Sequence, residues 1–120
     1  MQPPTTKDVD GVLVVRYQDA GVLNEVPSLW SREEIYRQVE TRERPLVVVD
    51  LGSIDYVSSL GIGALVGLKR RTELTGGRLV LVAVHPYVRD ILQTMSLDKI
   101  LPIASDLPSA FALLTSMPSS

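Results

Sequence analysis

The chain has no cysteine and only one histidine, His85. Without thiols there are no disulfides and no thiolate metal sites, which excludes small cross-linked secreted scaffolds and cysteine zinc modules. A lone imidazole rules out a histidine-rich metal site and leaves Ser-His-Asp chemistry a single candidate base. Long apolar runs are also missing, since the longest uncharged stretches fall short of the roughly 18 apolar residues that a spanning helix needs. Residues 1–11 are polar and lack the apolar centre of a secretion signal, so a cytoplasmic location is expected. An excess of positive charge is absent too. With 12 Lys and Arg against 14 Asp and Glu, the net charge is -2, which argues against nucleic acid as the main partner.

What remains is an ordinary globular composition, 45% hydrophobic and 22% charged over 120 residues, enough for one domain with a real core. A single domain over 1–120 is expected, with 1–10 and 116–120 frayed. Val12–Tyr17 (VLVVRY) suits a strand, and Gly21–Leu23 a short second one. A helix follows with two alternative starts. Either Asn24 caps it with Pro27 in the first turn, or Ser31 opens a capping box with Glu34, with Trp30 and Ile35 as the hydrophobic staple. Both versions end near Thr41.

Leu46–Leu51 (LVVVDL) has the uninterrupted apolar run of a central strand covered on both faces. A connector then leads into a helix over 59–74 that turns basic at Lys69-Arg70-Arg71 and stops at Gly76-Gly77. Arg78–Val84 reads as another buried strand. Pro86 starts a helix whose apolar stripe is Val88, Ile91, Leu92 and Met95. A strand over Ile100–Ala104 precedes a last helix, opened by Ser105 or Asp106, with the stripe Leu107, Ala110, Phe111 and Leu114. Strands alternating with helices through short loops imply an α/β fold, a mixed sheet of four to five strands with about four helices.

The start of the 59–74 helix holds the chemistry worth weighing. Ser58 and Ser59 stand where a helix offers unpaired N–H groups, a place for a cap, an anion ligand or a phosphorylation site. A hydrolase serine is disfavoured, because the G-x-S-x-G elbow is absent and His85 has no evident orienting acid. Gly61, Gly63 and Gly67 have neither the P-loop nor the dinucleotide-loop spacing. Close packing of the helix explains them better, since each interior glycine costs on the order of 1 kcal/mol. Asp50 invites comparison with a receiver domain, but the first strand ends in Arg16-Tyr17 and no lysine follows the last strand. The better reading makes Asp50 a strand-end residue that orders the loop to Ser58. Lys69, Arg70 and Arg71 read as a solvated helix face, and Trp30 and Phe111 as core or staple residues.

Taken together, these segments resemble the STAS family, named for sulfate transporters and anti-sigma-factor antagonists. The resemblance is carried by Asp50-Leu51, Tyr56-Val57, Ser58-Ser59-Leu60-Gly61, Gly76-Gly77-Arg78-Leu79, Pro86-Tyr87-Val88-Arg89 and the turn Ser96–Leu101. It implies a regulatory protein-binding domain that docks an anti-sigma factor that is itself a serine protein kinase, and is switched by phosphorylation of Ser59, two positions before Gly61. The implied docking residues are Tyr56, Val57, Ser58, Ser59, Leu60, Gly61 and Ile62. Ser58 stands where the family carries Asp. No catalytic residue, cofactor, metal, nucleic acid or membrane contact is expected, and the chain should be a monomer or weak dimer. The alternatives are a STAS interaction module without phosphorylation and a receiver-like phosphoprotein using Asp50.

Overall fold

The computed structural model describes residues 5–17, 21–23 and 29–116, with 21–23, 29–32, 59, 60 and 116 described by their backbone alone. A five-stranded sheet lies at its centre, built from β1 (Thr5–Val9), β2 (Val12–Arg16), β4 (Leu46–Asp50), β6 (Arg78–Val82) and β7 (Ile103–Ala104) in the order β1-β2-β4-β6-β7. β1 is antiparallel to β2, and the other neighbours are parallel. A separate parallel pair joins β3 (Gly21–Leu23) to β5 (Ile54–Val57). The helices are α1 (Leu29–Glu40), α2 (Ser59–Leu74), α3 (Pro86–Thr94) and α4 (Leu107–Ser116), with one 3₁₀ turn over Leu97–Lys99.

Alternation along the strands divides the core. Leu13, Val15, Val47, Val49, Leu79 and Leu81 face Ile35 and Val39 of α1, Leu65 and Leu68 of α2, and Val88 and Leu92 of α3. Val12, Val14, Val48, Val80 and Val82 face the other way, onto Ala110 and Leu114 of α4. Both faces of β4 and β6 are therefore covered, which is why their sequences read as unbroken apolar runs.

The sequence expectation differs from the structure in several places. Thr5–Val9, expected to be frayed, is an edge strand joined to β2 by a two-residue turn in which Asp10 and Gly11 both take positive φ (51° and 83°). Asp8 Oδ1 accepts the Gly11 N–H at 3.0 Å. The strand is mostly exposed and so carries no apolar alternation to betray it. The expected connector contains a strand, β5, whose four residues with only Ile54 and Val57 buried make no periodic signal. α1 begins upstream of Ser31, so the capping-box start is not the one used. Asn24 and Pro27 lie outside the described residues, as does the Trp30 side chain.

β6 ends at Val82, where Ala83 turns to φ 56°. Ile100 and Leu101 turn rather than extend, and the strand itself is only Ile103–Ala104, preceded by the Pro102 carbonyl that accepts the Leu81 N–H at 2.8 Å. Met95 caps the C-terminus of α3 and is 52% exposed, so the α3 stripe closes with Leu92. Ser116, expected to fray, is the last residue of α4, and 117–120 lie outside the described residues. The paired glycines after α2 do different work. Gly76 takes φ 81°, and a Cβ on Gly77 would run into the Pro45 carbonyl, which accepts the Arg78 N–H at 2.9 Å.

Candidate functional site

β4 delivers Asp50 to the end of the sheet beside Arg16, its register partner on β2. The carboxylate is nearly buried and uses both oxygens. Oδ1 accepts the Gly52 N–H at 2.8 Å, and Oδ2 accepts Arg16 Nε at 3.2 Å. The first of these bonds, with Ile54 N donating to the Leu51 carbonyl at 3.0 Å, folds residues 51–54 into a tight turn. That turn sets the direction of β5, which runs straight to Ser58. Asp50 thus bonds to the turn through one oxygen and to Arg16 through the other, and a carboxylate occupied on both sides is poorly placed to accept a phosphoryl group.

Ser58 is the N-cap of α2. Its backbone is extended (φ -84°, ψ 169°), its Oγ accepts the Gly61 N–H at 3.1 Å, and its carbonyl accepts the Ile62 N–H at 2.9 Å. Asp and Ser are among the strongest N-cap residues, so serine can do locally what the family's Asp would do. Ser59 is then the first residue of the helix. No acidic residue lies in that first turn, whose N–H groups form the positive end of a 16-residue helix.

The expected docking residues divide by exposure. Tyr56 is exposed and Ser58 half-buried, whereas Val57 and Ile62 belong to the core cluster and Gly61 is buried. Of Ser59 and Leu60 the structure gives the backbone, which forms the first turn. Tyr87, which sequence reasoning registered only as a letter of a motif, brings its ring to 6.3 Å from that of Tyr56, at 36°. His85 caps α3, its Nδ1 accepting the Tyr87 N–H at 3.2 Å. With Nδ1 held as an acceptor, no carboxylate orients this imidazole from that side.

Two open grooves lie away from the first turn of α2. One of about 480 Å³ runs between α1 and the C-terminal half of α2, and four of its charges are paired, Arg37 with Glu34 at 2.6 Å and Arg71 with Glu40 at 2.8 Å. Glu34 is held below its ordinary value by hydrogen bonds from Arg37 and Gln38. The other, about 230 Å³, is lined by Lys7, Arg16, Asp50 and Leu107 among others. Lys69 pairs with Glu73 at 2.8 Å, so two members of the basic run are engaged within the chain and Arg70 is exposed. Among the described residues no helix is long and apolar enough to cross a membrane, and no three His, Asp or Glu cluster as metal ligands.

Comparison with known proteins gives one consistent answer. The STAS domain profile matches residues 3–110. The anti-sigma factor antagonist BtrV of Bordetella bronchiseptica is 32% identical over 108 residues, covering 90% of each chain. An anti-sigma F factor antagonist of Paenibacillus polymyxa is 29% identical over 93 residues, 78% of each chain. Among solved structures, an anti-sigma-factor antagonist (STAS) domain protein from Planctomyces limnophilus superposes with a TM-score of 0.82 at 20% identity, covering 94% of this chain and 98% of that one.

Proposed function

This chain belongs to the STAS domain family, and from that premise we propose that it is an anti-sigma factor antagonist whose docking surface is centred on the N-terminus of α2 and switched by phosphorylation of Ser59. The partner in this reading is an anti-sigma factor with serine kinase activity, in the cytoplasm, and the output is control of transcription. The protein itself supplies no catalytic group.

The observation that carries the reading is the division of labour between the two serines. Ser58 Oγ accepts the Gly61 N–H at 3.1 Å and takes the cap, so residue 59 is not needed for that task. A phosphate there, carrying roughly two negative charges, would meet backbone N–H groups and the positive helix end, with no acid in the first turn to repel it. The fold would tolerate it, and a docked partner would not. Burying that charge in a surface shaped for a hydroxyl costs several kcal/mol unless a cation meets it, and about 3 kcal/mol is already a hundredfold in affinity.

The test is to incubate the protein with the serine kinase encoded nearest to it and ATP, then read intact mass and map the site. One added phosphate on Ser59 and a complex lost on phosphorylation are expected. An unmodified protein that forms no complex in either nucleotide state would sink the reading. Ser58 in place of the family's Asp favours one competitor, a constitutive interaction module in which Ser59 is never modified. Equal affinity of Ser59→Ala and Ser59→Asp for the partner would select that module instead.

A further inference from the structure

We infer that Tyr56 and Tyr87 form an aromatic anchor that extends the α2 docking surface onto α3, and that the same kinase partner covers both rings. The inference rests on the antagonist reading and adds to it a second element of the fold and a residue outside the serine motif.

Large aromatic side chains usually bury themselves, and when they stay exposed as a pair they mark contact surfaces. Here Tyr56 is 46% and Tyr87 56% exposed, while their neighbours Ile54, Val57 and Val88 are buried. The rings meet at 6.3 Å and 36°, so each restrains the other and less rotamer freedom is lost on binding. Continuity names the occupant. Tyr56 precedes the Ser58 cap by two residues on the strand that aims α2, and α3 packs against that strand. A folded partner seated on the first turn of α2 spans about 800 Å² on its side, far more than one helical turn offers. Leu74 is more exposed still, at 78%, but lies at the other end of α2, about 22 Å from Ser59 at 1.5 Å per residue.

The experiment measures affinity of the purified kinase for wild type, Tyr56→Ala, Tyr87→Ala, Tyr87→Phe and Leu74→Ala, each checked for an unchanged circular-dichroism melt. At least tenfold weaker binding is expected for the two tyrosine-to-alanine variants. Tyr87→Phe should fall within threefold of wild type, and Leu74→Ala should match it. Wild-type affinity in both tyrosine-to-alanine variants, with loss of binding on Ser59 phosphorylation intact, overturns this inference and leaves the antagonist reading standing. If wild type itself binds no kinase, the antagonist reading falls and takes the anchor with it. Sedimentation covers the other occupant: self-association abolished by Tyr87→Ala, with kinase affinity unchanged, would assign the rings to a second copy and overturn the proposal.

Discussion

Arg16 and Asp50 are partners twice, once by backbone and once by side chain. They are register neighbours at the carboxyl ends of parallel β2 and β4, and Arg16 Nε donates to Asp50 Oδ2 at 3.2 Å. The pair is lopsided, because the Arg16 side chain is 63% exposed and that of Asp50 only 12%. Asp50 simultaneously fixes the Gly52 turn that leads to β5 and the Ser58 cap. The ends of the sheet are thereby tied to the start of α2.

That asymmetry decides which partner is costlier to remove. Arg16→Ala leaves a nearly buried carboxylate with one N–H donor, an expected loss of about 2 kcal/mol. Asp50→Asn keeps an acceptor for Gly52 and frees an arginine that water can solvate, so about 1 kcal/mol is expected. Introducing Asp50→Asn into Arg16→Ala should then recover stability rather than lose more. Urea unfolding of the four proteins checks the cycle, and simple additivity would show that the ion pair matters little.

Ser58 is expected to matter for stability through its cap alone. Ser58→Ala removes the acceptor for Gly61 N–H and should cost about 1 kcal/mol, roughly 3–5 °C in Tm for a domain of this size. Ser58→Asp restores the residue of the family motif, keeps the cap and adds a charge that the helix end favours, so its Tm should equal or exceed wild type. Thermal melts of the two variants decide it. A harmless Ser58→Ala would mean that the 3.1 Å contact contributes nothing.

How much of this could be read from sequence depends on how much of each element is buried. β4 and β6 are plain because both faces are covered and four consecutive positions of each are apolar, with Asp50 closing the one and Arg78 opening the other. β1 is not, because an exposed edge strand has no pattern, although Asp10-Gly11 is the kind of pair that closes a two-residue hairpin. The serine motif marks the start of a helix, and Ser58 and Ser59 are the N-cap and first residue of α2. Which serine caps and which stands at the helix start follows only from the Gly61 N–H direction, as either hydroxyl is two or three residues from a glycine. Tyr87 lies 31 positions from Tyr56, and nothing local to either residue announces that their rings meet.

Stability should fall at both ends of the pH range through identifiable groups. Asp106 Oδ1 accepts the Ser109 N–H at 2.9 Å at the start of α4, and that bond holds its carboxyl below the ordinary value of 3.8. A depressed folded value stabilises above the unfolded one and is lost as pH falls through the folded one. The penalty of Asp106→Ala should therefore be present at pH 7 and shrink as pH falls below 3.8 and through the depressed folded value. Tyr17 is pushed up to about 12, first by desolvation and then by Tyr36. Its contribution is full below pH 10 and is lost as pH rises from there toward 12, a limb that Tyr17→Phe should remove. Unfolding curves across pH test both, and an Asp106→Ala penalty unchanged in acid would refute the first.

The glycines of α2 separate packing within the chain from space kept for something outside it. A Cβ on Gly67 would come within 2.8 Å of the Tyr36 hydroxyl, whose ring is held under Arg71 at 4.2 Å. Helix propensity favours alanine at either glycine by about 1 kcal/mol, but at Gly67 the displaced ring offsets the gain. Gly67→Ala should stabilise fully only in a Tyr36→Phe background, where the nearest atom is the ring carbon at 3.8 Å. Gly63 is exposed, and a Cβ there would meet nothing within 4 Å, so Gly63→Ala should raise stability by about 1 kcal/mol without any second change. Among the described residues no contact uses the space at Gly63, which lies one turn beyond Ser59 on the same face of the helix. If the proposed partner approaches α2 there, the same Gly63→Ala variant that melts higher should bind it severalfold more weakly. A higher Tm with wild-type affinity would show that the gap serves no interface.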